Sequence, residues 1–432
     1  MPVGVYYFRK DCRINDNPLL ARACEECDQL ICVWVCPPPS QPGHAWSLDR
    51  AGSLRYAFMR ECIEDLRADL AAEGIVLVVR FGDPVQVLAQ IKAECSYDRL
   101  YGEELPGTEE SMEWKTISDY AASNGVQVIH HWQRTLLSLS DLPFGINNLP
   151  RVFTSFRTKV EQNWHVRESA NVLSWPKSVA LPSDPWPAEF AMEKKIDPRA
   201  SLDFKGGAKS GYDRLLYYCG SADLLGRYKE TRNGLIGPDY SSKLSPWLAW
   251  GCLSPVEVYE AILNYEEEFG ANESSYWLVF ELLWRDFFQF TALHQGRRIF
   301  LRSGFGDGHA RASNGRSVDF AKWCEGNTGN AFVDACMREL VATGFMSNRG
   351  RQNAASYLVH DLQIDWRKGA RFFEYHLLDY DAASNWCNWA YIAGVGNDPR
   401  AGRKFNVEKQ AADYDPQHRY RNAWAKAAQT TL

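Results

Sequence analysis

Apolar positions recur with two different spacings along the chain, and the change from one to the other divides it. In the first 130 residues, the short runs VGVYYF (3–8), LICVWV (30–35), IVLVV (75–79), DRLY (98–101) and VQVIH (126–130) alternate with amphipathic stretches such as 50–72 and 108–123. Strand followed by helix requires right-handed crossovers, so this part predicts an α/β domain: a five-stranded, parallel, doubly wound sheet with ligands at the carboxyl ends of the strands. From 131 to 205 prolines are frequent and no period survives, which predicts an interdomain linker running over the surface. From 206 to 432 the spacing is almost entirely helical and predicts an all-α domain. Ser254, Pro255 and Glu257 read as a capping box, and Ser245–Pro246 as a second helix start.

A chain of 432 residues exceeds one ordinary core, in keeping with two domains. Aromatic residues make up 13%, with 16 Trp, a composition that offers stacking surface to flat ligands. No run of eighteen apolar residues occurs and MPVGVYYFRKDC lacks the regions of a signal peptide, so the expectation is a cytoplasmic, monomeric protein away from the membrane. The twelve cysteines then read as reduced thiols, and the one CxxC, Cys24 to Cys27, as structural. Neither GxGxxG nor a P-loop is present, which excludes an ordinary nicotinamide or ATP site by motif.

The net charge of −6 is unevenly spread: residues 1–130 carry 12 Lys+Arg against 20 Asp+Glu, and the remainder 36 against 34. Within the remainder, HQGRRIFLRSGFGDGHARASNGR (294–316) has five arginines and one aspartate, which is either a stripe that meets phosphates or a solvated loop.

Four segments carry candidate chemistry. YSSKLSPWLAWGCLSP (240–255) sets Ser241, Ser242, Lys243 and Ser245 at a helix entrance, a phosphate cradle or simply a run of caps. In YWLVFELLWRDFF (276–288) Trp277, Glu281, Trp284 and Phe288 share a face, placing an acid between rings; the alternative is an intrahelical Glu281–Arg285 pair. TGFMSNRGRQNAASYLVHDLQIDW (343–366) puts Asn348, Arg351 and Gln352 before an apolar run, with Arg351 a partner for Asp379 or Asp381. In DYDAASNWCNWAY (379–391) Asp381, Asn385 and Trp389 follow at i, i+4 steps on one helix face.

Together with FRKDCRINDNPLL near the start, these motifs resemble the photolyase/cryptochrome family, specifically its DASH cryptochrome branch, over nearly the whole chain. The resemblance implies FAD, folded into a U in the helical domain. Tyr228, Ser241, Ser242, Lys243, Leu244 and Ser245 would hold its diphosphate and ribityl chain, with Asn348 beside them. Arg351 would pair with Asp379 next to the flavin, Asp381 would approach the ring and Asn385 would face N5. The implied activity is deoxyribodipyrimidine photo-lyase: excited reduced flavin passes an electron to a cyclobutane pyrimidine dimer extruded from the stack, mainly in single-stranded DNA. Glu281 matches the acid that hydrogen-bonds the dimer and the flavin site, and Trp284 and Tyr391 match its aromatic walls. Gln352 stands where double-strand enzymes carry Met, and Tyr391 where they carry Trp. Arg285 and Arg349, with Arg297 and Arg298 of the basic stripe, are the expected DNA contacts. Trp389 and Trp366 match the first two members of an electron relay; the third place, ten residues before Trp323, holds Ser313, so a relay here needs Trp386 or a tyrosine as a bypass. An antenna, 5,10-methenyltetrahydrofolate in this branch, would lie near YGEELPGTEE (101–110), with Glu103 or Glu104 on the pterin. The competing functions are a blue-light photoreceptor signalling through a protein partner, and a flavoprotein that binds DNA or RNA without repairing it.

Overall fold

The five apolar runs form β1 (Val3–Phe8), β2 (Gln29–Cys36), β3 (Leu77–Phe81), β4 (Arg99–Glu103) and β5 (Gln127–His131), hydrogen-bonded in parallel in the order β3-β2-β1-β4-β5. This is a computed structural model, and it describes residues 2–36, 51–190, 196–307, 313–398 and 402–426. The strand order reverses between β1 and β4, the point at which an open parallel sheet leaves a crevice at its carboxyl edge. The third run starts its strand two residues later than its apolar pattern, because Ile75 N–H still donates to Leu70 O at 2.9 Å and closes the preceding helix. Helices Pro18–Glu26, Ser53–Ala72, Pro84–Glu94 and Thr108–Ser123 make the crossovers.

The segment expected to be an unstructured surface linker is more than that. Phe153–Gln162 is a helix whose Phe153, Phe156 and Val160 are buried, and flanking prolines hid its i, i+3, i+7 spacing. Further on, Lys177–Ser178 adds a short strand, β6, to β2, and Ser183 Oγ and Asp184 hold the β3 backbone, which covers that edge of the sheet. Beyond 206 the described structure is helical, with the Ser254–Glu257 capping box in place at the head of Pro255–Phe269.

The two parts share one apolar core: Tyr6, Phe8 and Cys12 pack in the same buried cluster as Trp247, Trp250 and Leu253. The junction is sealed where the Ser245–Trp250 helix ends on Gly251. Cys12 N–H donates to Trp250 O at 3.2 Å, and Arg13 Nη1 donates to Gly251 O at 3.0 Å. Gly251 has φ +68, and a Cβ there would stand 1.9 Å from Lys10 O, so both backbone conformation and space demand glycine. Gly251→Ala is expected to destabilise the protein by about 2–4 kcal/mol, from left-handed strain plus overpacking; the midpoint of urea unfolding reads it.

Candidate functional site

Side chains from six helices line a cavity of about 270 Å³, and a second of about 110 Å³ adjoins it. Asn348, Arg351, Asp379 and Ser384 line both. Arg351 lies on Asn348–Ser356, capped by Ser347, whose Oγ accepts Gly350 N–H at 3.0 Å. Its guanidinium forks onto Asp379, with Nη1 to Oδ1 at 3.1 Å and Nη2 to Oδ2 at 2.8 Å. Ser245 Oγ donates to Asp379 Oδ2 at 2.6 Å, so one carboxylate ties three segments together. Of the two aspartates open to Arg351, Asp379 is the one it takes.

Tyr228 and the run from Ser241 to Ser245 line one side of the larger cavity. Arg214 braces the run from behind by donating to Ser241 O and Ser242 O, each at 2.9 Å. Lys243 adopts φ +56, donates Nζ to Pro238 O at 3.0 Å and lies over the Tyr240 ring. Burial, with Arg214 nearby, lowers its pKa to about 6. The donor set of serine hydroxyls, a lysine and Arg351 suits an anionic, hydroxylated chain such as a diphosphate with its ribityl arm.

Opposite stands Glu281, on the 23-residue helix Glu273–Gln295. It does not pair with Arg285, the alternative open from sequence. Its partner is Arg232, four residues after Tyr228, whose guanidinium also lies 5.1 Å over the Trp277 ring. Enclosure raises the Glu281 pKa while Arg232 opposes the shift. Arg285 lines the cavity and donates to the carbonyls of Arg134 and Leu248.

Asp381 caps the helix Ala382–Ala393, Oδ1 accepting Ser384 N–H at 2.7 Å. Burial works against its charge, but Arg134 and Arg285 outweigh that and hold its pKa below the usual carboxylate value. Asn385 and Trp389, one and two turns on, line the smaller cavity with Gln352. Asn385 Nδ2 donates to Ala370 O at 3.0 Å, which fixes the amide's orientation.

Trp284 and Tyr391 meet edge to face at 6.1 Å, outside both cavities, and Trp284 is stacked on Phe153 at 3.7 Å. Among the tryptophans, Trp389 contacts Trp323 at 6.2 Å and Trp366 contacts Trp386 at 5.8 Å. Trp386 Nε1–H donates to Tyr380 Oη, and Tyr380 lines the smaller cavity. Ser313 is exposed. Arg349 contacts Gln352, Asn233 and Gln410. Arg297 and Arg298 are exposed at the end of the long helix, while residues 308–312 of the basic stripe, Arg311 included, lie outside the described residues.

In the α/β part Glu103 is wholly buried and Glu104 faces His130 at 3.3 Å. Neither lines the crevice at the sheet's carboxyl edge, a cavity of about 200 Å³ bordered by Phe8, Arg9, Lys10, Trp34, Arg55, Glu113 and Trp250. Arg232, Arg134, Gln289 and Phe153 were not singled out from sequence; only the Tyr228–Arg232 spacing of one helical turn offered a signal, for Arg232.

The model of the DNA photolyase family matches residues 4–176, and that of the FAD binding domain of DNA photolyase matches residues 277–431. The chain is 43% identical to Cryptochrome DASH of Danio rerio, the match covering 96% of this chain and 81% of that protein. A Synechocystis cryptochrome superposes with TM-score 0.94 at 40% identity, covering 98% of this chain and 88% of that one. An archaeal photolyase from Sulfolobus tokodaii, solved with two FAD molecules, superposes with TM-score 0.79 at 27% identity, covering 99% and 91%.

Two outcomes follow for the cofactor. Arg351→Ala strips Asp379 of its forked partner and is expected to destabilise the FAD-loaded protein by about 2–3 kcal/mol, read by urea unfolding. Lys243 is largely neutral above pH about 6, so engaging an anionic diphosphate draws a proton onto it. FAD affinity should therefore fall as pH rises from about 6 to about 8, and titration calorimetry in buffers of different ionisation enthalpy should register the proton uptake; Lys243→Gln should remove both effects.

Proposed function

The chain belongs to the photolyase/cryptochrome family, in its DASH cryptochrome branch, and we propose that it is a light-dependent lyase that splits cyclobutane pyrimidine dimers, mainly in single-stranded DNA. The observation that carries this reading is Glu281, an acid on the cavity wall with a raised pKa and a cationic partner, Arg232, brought from a separate segment.

Bound FAD supplies the light absorption and the electron for dimer cleavage. The protein's part is to bind, orient and dry the reactants. Ser241, Ser242, Lys243 and Ser245 would hold the diphosphate and ribityl chain, and the Arg351–Asp379 fork would keep the cavity open at the ring. Asn385, immobilised by Ala370 O, would present its amide to the ring edge. Glu281 would exchange Arg232 for the polar edge of the extruded dimer, freeing Arg232 to meet a backbone phosphate. Trp284 and Tyr391, set edge to face, would wall the site for unstacked bases, Trp284 braced by Phe153 stacked on it and Tyr391 by Arg403 over its ring. Gln352 and Arg349 stand together beside the smaller cavity, Gln352 on its wall. Extrusion costs least where no partner strand must be unpaired, which favours single-stranded substrate. For a relay to the cavity, the Trp389–Trp323 and Trp366–Trp386 contacts are the available ring pairs.

What supports a second, light-gathering chromophore is the aromatic and cationic crevice at the sheet edge, whose rings and cations suit a flat ligand; the similar photolyase from Sulfolobus tokodaii was solved with two FAD molecules. A cytoplasmic location belongs to the same proposal, supported by twelve free cysteines. No helix among the described residues is long and apolar enough to cross a membrane.

The test is direct. Reduced protein is mixed with a dimer-bearing single-stranded oligonucleotide under blue light, and dimer loss is measured against a dark control; no loss above that control rejects the reading. Glu281→Ala should lower the repair yield about tenfold or more with flavin retained, the effect of deleting one hydrogen bond to a charged group. An undiminished yield would remove Glu281 from the mechanism.

A further inference from the structure

Three residues beyond β5, Arg134 crosses from the sheet to the helical part with a side chain only 4% exposed. Its Nε donates to Gln289 Oε1 at 2.9 Å, its Nη2 to Asp381 Oδ2 at 2.8 Å, and its Nη1 lies 3.7 Å from Glu103 Oε2. Gln289 extends the link by donating Nε2 to Asp381 Oδ1 at 2.7 Å. With Ser384 N–H on that same oxygen, Asp381 is committed to protein partners, and its place at the cavity is held by Arg134 and Gln289.

Glu103, the last residue of β4, is 0% exposed, and neither of its carboxylate oxygens accepts a hydrogen bond among the described residues. A buried carboxylate left so is costly and responsive to its nearest cation among the described residues, Arg134. Its backbone carbonyl meanwhile accepts Arg9 Nη1 at 3.0 Å, and Arg9 borders the sheet-edge crevice. One buried guanidinium thus stands between two carboxylates, one from each domain, and one of these caps the helix that carries Asn385 and Trp389.

We propose that Glu103 and Asp381 compete for the Arg134 guanidinium, which makes Arg134 a positioning residue through which the ionisation of the sheet-edge acid sets how firmly the flavin-site helix is capped. The proposal rests on the FAD reading of the cavities for its flavin readout alone. The groups facing Glu103 are Arg134, Arg13, Arg9, Arg285, Asp11 and the Cys12 thiol. Burial raises the Glu103 pKa to about 7; Arg134, Arg13 and Arg9 oppose the shift and Asp11 adds to it. Below that pH Glu103 is neutral and Arg134 belongs to Asp381; above it two anions flank the same Arg134 guanidinium. Because the folded value lies above the unfolded one, the stabilisation from neutral Glu103 is complete below about pH 4.3 and is lost as pH rises through about 7.

The experiment uses the FAD-loaded protein, wild type, Glu103→Gln, Arg134→Gln and Arg134→Lys, between about pH 5 and about pH 8. Melting temperature of Glu103→Gln relative to wild type should climb with pH and level off above about 7. The visible circular dichroism of the flavin should shift with the same midpoint in wild type, stay constant in Glu103→Gln and Arg134→Gln, and shift with a displaced midpoint in Arg134→Lys. A melting difference independent of pH overturns the competition. A pH-dependent melting difference with an unmoved flavin band overturns the positioning role. Colourless protein would sink the FAD reading, and the melting difference would still decide whether Glu103 titrates against Arg134.

Discussion

The Asp379 carboxylate is the point on which the helical part closes around its cavity. Its side chain is 2% exposed, and it engages Arg351 and Ser245 from two other segments. A charge so placed is tolerable only when its lone pairs are filled, so the helices that bring Arg351 and Ser245 must sit where they do. Apolar packing alone would draw those helices together, since a void lined by side chains forfeits their dispersion contacts. The forked pair spans the gap with polar groups that resist collapse, and a cavity remains where a core would otherwise form.

The same principle of filled valences operates a step further out. Asp381 is satisfied by Arg134, Gln289 and Ser384, and Asp286 accepts Leu136 N–H at 3.1 Å and Leu137 N–H at 3.0 Å, binding the segment after β5 to the long helix. Each of these links joins residues more than ninety positions apart, apart from the helix cap itself. The two domains are therefore held by an apolar seam at Trp247 and Trp250 and by a polar seam at Arg134, the second ending on Asp381 in the wall of the larger cavity.

The sheet and the crossover helices were legible because their signals are local: continuous β-branched runs for strands buried on both faces, amphipathic spacing between them, and a cap whose two hydrogen bonds lie within four residues. The Arg351–Asp379 pair was legible only down to two candidate aspartates, and geometry had to choose. Arg134 and Glu103 carried no local signal as a pair, since they lie thirty-one positions apart, one at the end of β4 and the other just beyond β5, and no helical or strand period joins them. Arg232 was missed for a related reason. Its partner Glu281 lies forty-nine residues on, while Arg285, one turn away on the same helix, offered a nearer cation that turned out to be spent on backbone carbonyls. Local spacing finds neighbours on an element; it cannot rank them against partners delivered by the fold.

That difference bears on what Glu281 can do. An i, i+4 pair would move as one with its helix, and breaking it would leave Arg285 stranded beside Arg134, like charge against like. Arg232 instead sits on a separate short helix, Tyr228–Thr231 and its C-cap, with its guanidinium already resting on the Trp277 ring. When Glu281 turns to another partner, Arg232 keeps the indole face beneath it and is not left bare. On the proposed reading, this makes exchange of the acid's partner inexpensive: the cation is supported by an aromatic ring before it meets a phosphate as well as after.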